Sequence, residues 1–393
     1  GRPRPRIDND PGVIVMATFL RTVESFVQGA RTMPQRYYVG DEVFALEQDR
    51  IFARSWLCVG RSVELAEPGA YKLQAIGADN VIILREKGGS LRAFHNVCRH
   101  RGTRLCEAAR GTLRETIQCP YHAWTYALDG RLIGAPHMQE VAGFDKTEYS
   151  LFRVALEEWE GFIFINMAPA PEPFDAVYAP LLGRFTRFNL AGLKVGRSIA
   201  YTVRSNWKLV LQNYNECLHC PTIHPQLSRV LPYTSGANDL TSGPFLGGFM
   251  EIAPPHASAT MSGRSCGLPI GTLPEEDQRR AYYYSLFPSM MLSIHPDYVV
   301  YYMVWPQSPS ETKIISEWMF HPETMAEPNF DPSDAVEFWD VTNTQDWHIC
   351  ELTHAGIASR AYVPGPYSPR ESVPAAWDRE YLARMSDGTA PRA

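Results

Sequence analysis

The sequence predicts an α+β protein in two parts, a compact β-domain followed by a twisted sheet wrapped around a long helix. Three observations predict it. Short alternating runs dominate from Tyr71 to about residue 165. A Pro-rich break, APAPEP at 168–173, ends that texture. Beyond it, further strand-like runs lead into one long helical stretch, roughly Asp334 to Ala358.

The chain has 393 residues, of which 45% are hydrophobic and 20% charged, the balance of an ordinary globular protein of about two to three domains. A formal net charge of −6 argues against nucleic acid as a partner. No apolar run approaches the roughly 18 residues that a membrane span needs.

In chain order, residues 1–15, GRPRPRIDNDPGVIV, hold the densest basic cluster and read as a tag remnant, with Met16 as the native start. The following MATFLRTVESFVQGA lacks the basic region and long apolar core of a secretory signal, so the expected localisation is cytoplasmic. Residues 16–56 are expected to be helical. Phe19, Leu20, Val23, Phe26 and Val27 form one stripe, and a second helix runs from Asp41, as N-cap, to Trp56. In the β-domain, 57–167, the runs NVIILRE, GGSLRAFHNV and WEGFIFINM read as strands, with KGGS at 87–90 as a hairpin turn. The second unit, 174–384, opens with a strand (RSIAYTVRS) and a helix from Trp207. A Gly/Pro/Ser-rich stretch at 234–274 reads as a lid or channel wall rather than a connector. YYYSLF, MMLSIH, YVVYYMVW and TKIISEWMF read as strands.

Eight cysteines are too few for a disulfide scaffold. Four residues in two short segments carry the first chemistry. CRHRG supplies Cys98 and His100, and CPYHAWTY supplies Cys119 and His122. A Cys98–Cys119 disulfide leaves both histidines unexplained. A structural zinc site usually pairs like residues within each arm. A [2Fe–2S] cluster with two thiolates on one iron and two imidazoles on the other uses one Cys and one His from each arm. Gly102 permits the first tight loop, Pro120 stiffens the second, and Trp124 and Tyr126 can cover a cluster. The [2Fe–2S] reading accounts for the most residues.

CRHRGTRLC and CPYHAWTYALDGRL resemble the Rieske domain of the Rieske non-haem iron oxygenases. The motif alone also suits a Rieske ferredoxin, an electron carrier without catalysis, but the remaining 220 or so residues then lack a task. NWKLVLQNYNECLHCPTIHPQL brings a second constellation. Glu216 and His219, three apart, share one face of the helix expected here. His219 and His224 are five apart, about 140° out of phase on a regular helix. Pro221 biases the chain out of helix and lets it return His224 toward His219. Two imidazoles and one carboxylate with open positions form the ligand set of mononuclear Fe(II) oxygenases. Cys217 and Cys220 read as small packing residues rather than metal ligands.

The resemblance implies the rest. It implies a Rieske β-domain ahead of a helix-grip catalytic domain, an antiparallel sheet around a long helix. The carboxylate ligand is expected to be Asp346 of NTQDWHICEL, with Asp340 as runner-up and Glu351 behind it. Glu216 is expected to bridge the two metal centres, as in the branch acting on glycine betaine and carnitine. Head-to-tail homotrimers are implied, with electrons coming from NAD(P)H through a separate reductase, since no GxGxxG occurs here. O2 is the implied co-substrate. The expected reaction is oxidative N-demethylation of a quaternary ammonium compound. Ring hydroxylation or O-demethylation of an aromatic acid is the rival. An aromatic cage would suit the former, but Tyr282, Tyr284, Tyr301 and Trp305 read first as core strand residues.

Overall fold

The computed structural model describes residues 26–386. The expected tag remnant and Phe19, Leu20 and Val23 of the first stripe lie outside the described residues; Phe26 and Val27, its last members, are in no helix. Two short helices open the described chain, α1 (Arg36–Val39) and α2 (Asp41–Glu47). Asp41 is the first helical residue and Gly40 is the N-cap. The helix does not reach Trp56. It passes into a π turn over Gln48–Phe52, a wider coil that puts both Ile51 and Phe52 into the core.

Ten strands follow: β1 (Leu57–Arg61), β2 (Ala70–Ile76), β3 (Asp79–Arg85), β4 (Leu91–His95), β5 (Arg110–Thr112), β6 (Thr116–Gln118), β7 (Thr125–Ala127), β8 (Leu132–Gly134), β9 (Arg153–Trp159) and β10 (Phe162–Asn166). Seven form one sheet in the order β1-β10-β9-β4-β3-β2-β5, and β6-β7-β8 form a second. The KGGS turn closes β3 onto β4, with Gly89 at φ +87° and the Glu86 amide donating to Ser90.

Strand β3 shows how the period of two divides the molecule. Val81 and Ile83 face one core cluster, which extends through the C-terminal half. Ile82 and Leu84 face a smaller cluster with Phe94, Cys98, Cys119, Trp124 and Tyr126. One face of the sheet therefore carries the Cys/His loops while the other is continuous with the second unit. Buried Arg61 crosses the junction. Its guanidinium donates to the carbonyls of Glu160 and Leu190 and lies 4.4 Å over the Phe162 ring.

After the Pro-rich break comes α3 (Phe174–Tyr178), then β11 (Lys194–Val203), α4 (Trp207–Tyr214), α5 (Cys220–Ile223) and α6 (Pro225–Val230). The remaining strands are β12 (Ala237–Ser242), β13 (Phe245–Glu251), β14 (Arg280–Leu286), β15 (Met290–Ile294), β16 (Tyr298–Ser308) and β17 (Glu311–Phe320). They build one antiparallel sheet with the order β11-β17-β16-β15-β14-β13-β12. The stretch 234–274 is thus only partly irregular: its first part is the β12–β13 hairpin, which ends the sheet.

Helices α7 (Pro322–Ala326), α8 (Ser333–Ile357) and α9 (Ser372–Met385) complete the chain. Polar contacts pin α8 to the sheet. Trp339 donates to Tyr298, Tyr302 to Asn343 and Tyr201 to Asp340. No helix is long and apolar enough to cross a membrane among the described residues.

A buried polar network fixes α4 between α2 and α9. Glu47 accepts from the Lys208 ammonium, the Trp207 indole and the Tyr381 hydroxyl. Gln212 donates to Asp378, which also accepts from Tyr367. Burial pushes the Asp378 carboxyl up to about 7, against those hydrogen bonds and the Lys208 charge. The folded protein then holds a proton that the unfolded chain, with a carboxyl near 3.9, has released. Stability from this group is present at low pH and lost as pH rises from about 4 through about 7. Asp378→Asn removes that loss. In urea unfolding, the variant should gain on wild type by roughly 3–4 kcal/mol between ~pH 4.5 and ~pH 8. Parallel pH profiles would refute this.

Candidate metal centres

The first centre lies in the two loops on the outer face of the β-domain. Cys98 and Cys119 are buried free thiols. Gly102 adopts φ +77° and lets its amide donate back to the Cys98 carbonyl. In the second arm the Cys119 amide donates to Trp124 and the Ala123 amide to Cys119. The His100 and His122 rings stand 4.8 Å apart. Trp124 stacks on His100 at 4.8 Å, and the Tyr126 hydroxyl lies 3.4 Å from the Cys98 sulfur.

The donor set fits a [2Fe–2S] cluster. His122 Nδ1 is buried without a hydrogen-bond partner, as an imidazole nitrogen reserved for a metal should be. Local desolvation and the neighbouring His122 and Arg101 charges hold the exposed His100 below its ordinary value, favouring the neutral ring that ligation requires.

The second centre lies where α4 ends. The regular helix stops at Tyr214, so Glu216 and His219 do not share a helical face. A tight loop brings them together instead. Glu216 Oε2 accepts from the Leu218 amide, and Oε1 lies 2.6 Å from His219 Nδ1. His219 caps α5, Pro221 sits in its first turn, and His224 follows its end. The proline fits there because first-turn amides have no helical partner. The resulting bend places the two imidazole rings 5.2 Å apart.

Asp346 arrives from α8. Asp346 Oδ1 is 2.9 Å from His224 Nε2 and 3.3 Å from His219 Nε2. Asp346 follows Trp339 by seven residues and Asn343 by three, on the face that meets the sheet. Asp340 is turned away and accepts from Tyr201 at 2.6 Å. Glu351 is paired with Arg204. Gln345 Oε1 accepts from His224 Nδ1 at 2.7 Å, which leaves Nε2 as the nitrogen that faces the centre beside Asp346. Sequence reasoning missed Gln345, because its partner lies 121 residues away.

This donor set fits a divalent cation. Burial works against charge on His219, yet hydrogen bonds with Asp346 and Glu216 raise it to about 10. Burial pushes the Asp346 carboxyl up, and the two imidazoles outweigh it and hold it below the ordinary range. The pocket therefore demands positive charge at one point, and a cation meets that demand with both rings neutral.

Cys220 is buried in the core and Cys217 packs against it, as expected, but they are not separate thiols. They are joined as a disulfide that spans His219. The C-x-x-C spacing was the available signal.

A cavity of about 140 Å³ opens on this centre. Glu216, His219, His224 and Asp346 form its polar end, and Tyr214, Phe249, Tyr283 and Trp339 supply aromatic walls. Tyr282, Tyr284, Tyr301 and Trp305 do not line it; they are buried core. The β12–β13 hairpin forms one wall through Ala237, Asn238, Gly247 and Gly248. Asp346→Asn should lose the mononuclear metal during anaerobic desalting, whereas Asp340→Asn should keep it, as measured by iron per chain. Equal retention in both variants would remove Asp346 from the ligand set.

Comparison with known proteins follows the two halves. The Rieske [2Fe-2S] domain family matches residues 55–145. The family of the ring hydroxylating alpha subunit (catalytic domain) matches 190–387. The chain is 33% identical over 371 residues to the glycine betaine monooxygenase oxygenase subunit of Chromohalobacter salexigens, covering 87% of this chain and 82% of that one. It is 41% identical over 201 residues to the carnitine monooxygenase oxygenase subunit of Acinetobacter baumannii, covering 50% and 53%. Among solved structures, the quaternary ammonium Rieske monooxygenase CntA with L-carnitine superposes at TM-score 0.76 and 27% identity, over 93% of this chain and 97% of that one.

Proposed function

Because the chain belongs to the Rieske non-haem iron oxygenases, in the family of ring-hydroxylating α subunits, we propose that it is the terminal oxygenase that hydroxylates an N-methyl group of a small quaternary ammonium compound. The observation that carries this reading is the cavity, which joins aromatic walls to the His219, His224 and Asp346 cluster. Aromatic faces attract a cation that carries no N–H donor, and the attraction reaches about 2 kcal/mol when desolvated.

Cys98, His100, Cys119 and His122 would hold the cluster, and His219, His224 and Asp346 the iron. When bound, the cluster supplies single electrons and the iron supplies activation of O2. The chain's own residues do the positioning. Glu216 fixes the His219 ring by holding its Nδ1 proton, and Gln345 does the same for His224. The aromatic walls place the methyl carbon and exclude bulk water.

The substrate, O2, two electrons and two protons give a hydroxymethylammonium and water. The hydroxymethyl group then leaves as formaldehyde, releasing a tertiary amine and a proton. The electrons come from NAD(P)H through a separate reductase. The subunits form a head-to-tail homotrimer, a ring closed by a heterologous interface. In it, Glu216 hydrogen-bonds His219 on one side and a Rieske histidine of the next subunit on the other.

The reading is tested by O2 uptake and formaldehyde release with reductase present. Glycine betaine, carnitine and related betaines should give equimolar formaldehyde, and benzoate-type acids should give none. Tyr283→Leu should raise KM for the betaine about tenfold or more, the loss of one desolvated cation–π contact, with a smaller effect on kcat. Turnover of aromatic acids alone would overturn the substrate class.

A further inference from the structure

The two imidazoles of the mononuclear centre have a second neighbour that can bind metal. His219, Cys220 and His224 offer ligand atoms within 4.8 Å of one another, and the Cys220 sulfur lies 3.9 Å from His219 Nε2. Two ligands on one tetrahedral zinc, at about 2.1 Å for nitrogen and 2.3 Å for sulfur, stand roughly 3.6 Å apart. Small side-chain movements would close that difference. The Cys217–Cys220 disulfide withholds this sulfur.

We propose that the disulfide sets the metal preference of the centre. This rests on the reading of His219 and His224 as ligands. With the disulfide intact, the imidazoles are completed by the Asp346 oxygen, a hard set suited to iron. With it reduced, Cys220 offers a thiolate and the set becomes His219, His224 and Cys220, which favours a softer ion such as zinc. The reduction is thiol–disulfide exchange with an external dithiol. The S–S bond breaks, two electrons and two protons pass to Cys217 and Cys220, and the reductant closes its own disulfide. A divalent ion then displaces the Cys220 proton. Cys217 is partly exposed and lines the cavity, so a small dithiol can reach the bond.

The test uses the full chain with its Rieske cluster retained and the mononuclear centre emptied by chelation. Co(II) and Zn(II) are the probes. Dithiol-reduced wild type should show a thiolate-to-cobalt charge-transfer band and bind zinc at least about tenfold more tightly than the oxidised form. Cys217→Ser should show both effects without reductant. Cys220→Ser should show neither, and it supplies the background of the Rieske chromophore. Cobalt bound without a thiolate band in reduced wild type and Cys217→Ser, with unchanged zinc affinity, would overturn this proposal alone. Absence of cobalt binding in every form would overturn it together with the ligand reading.

Discussion

Two imidazole nitrogens, from residues five apart, must face one carboxylate oxygen that the chain supplies more than a hundred residues later. His219 and His224 meet Asp346 Oδ1 at 3.3 and 2.9 Å. Neither a single helix nor a single strand can produce that convergence. The segment after α4 must break, cap a new helix at His219 and place Pro221 in its first turn. Helix α8 must then be fixed in rotation as well as position, because a turn of about 100°, one residue, would present a different side chain. Trp339, Asp340 and Asn343 supply that fix by bonding tyrosines of the sheet.

The same requirement explains the polar core beneath α4. Burying Lys208 against Glu47 carries a desolvation cost of several kcal/mol per ion, so the pair is weak evidence for net stability. Its geometry is specific, however. Glu47 joins α2, α4 and α9 through three donors, and α4 is the helix whose end supplies Glu216 and His219. The β-domain is tied in differently. One sheet presents alternate residues to two cores, so the Cys/His loops stand on a platform whose far face is the core of the catalytic half. Movement of one half against the other would open that shared core.

Much of this was legible in the sequence, for identifiable reasons. The inner strands of both sheets announced themselves by β-branched runs and alternation. Helix α8 did so by length. The Cys/His arms and E-x-x-H-x4-H are local, so spacing revealed them, although Glu216 and His219 meet through a loop and not on a helix. What stayed hidden was tertiary or unpatterned. Helix α9 buries Val373, Pro374, Ala375, Ala376 and Trp377 consecutively, which leaves no amphipathic stripe to read. The β12–β13 hairpin hides behind glycines and polar edge residues. Gln345, Tyr283 and Trp339 reach the site only through the fold. The Cys217–Cys220 bond stayed hidden because the two residues read as separate packing thiols, although their C-x-x-C spacing is local.

The proposed function requires electrons held at the Rieske centre to pass through Glu216 to the His219/His224/Asp346 centre and to be spent on an N-methyl group. A single turnover tests it most directly. Anaerobically reduced protein, freed of reductase, is mixed with O2 and glycine betaine, and the Rieske EPR signal and formaldehyde are followed together. Wild type should lose the signal as formaldehyde appears, and Glu216→Gln should keep most of the signal on that timescale. Equally fast loss of the signal in Glu216→Gln, or formaldehyde from wild type with the signal unchanged, would contradict the account.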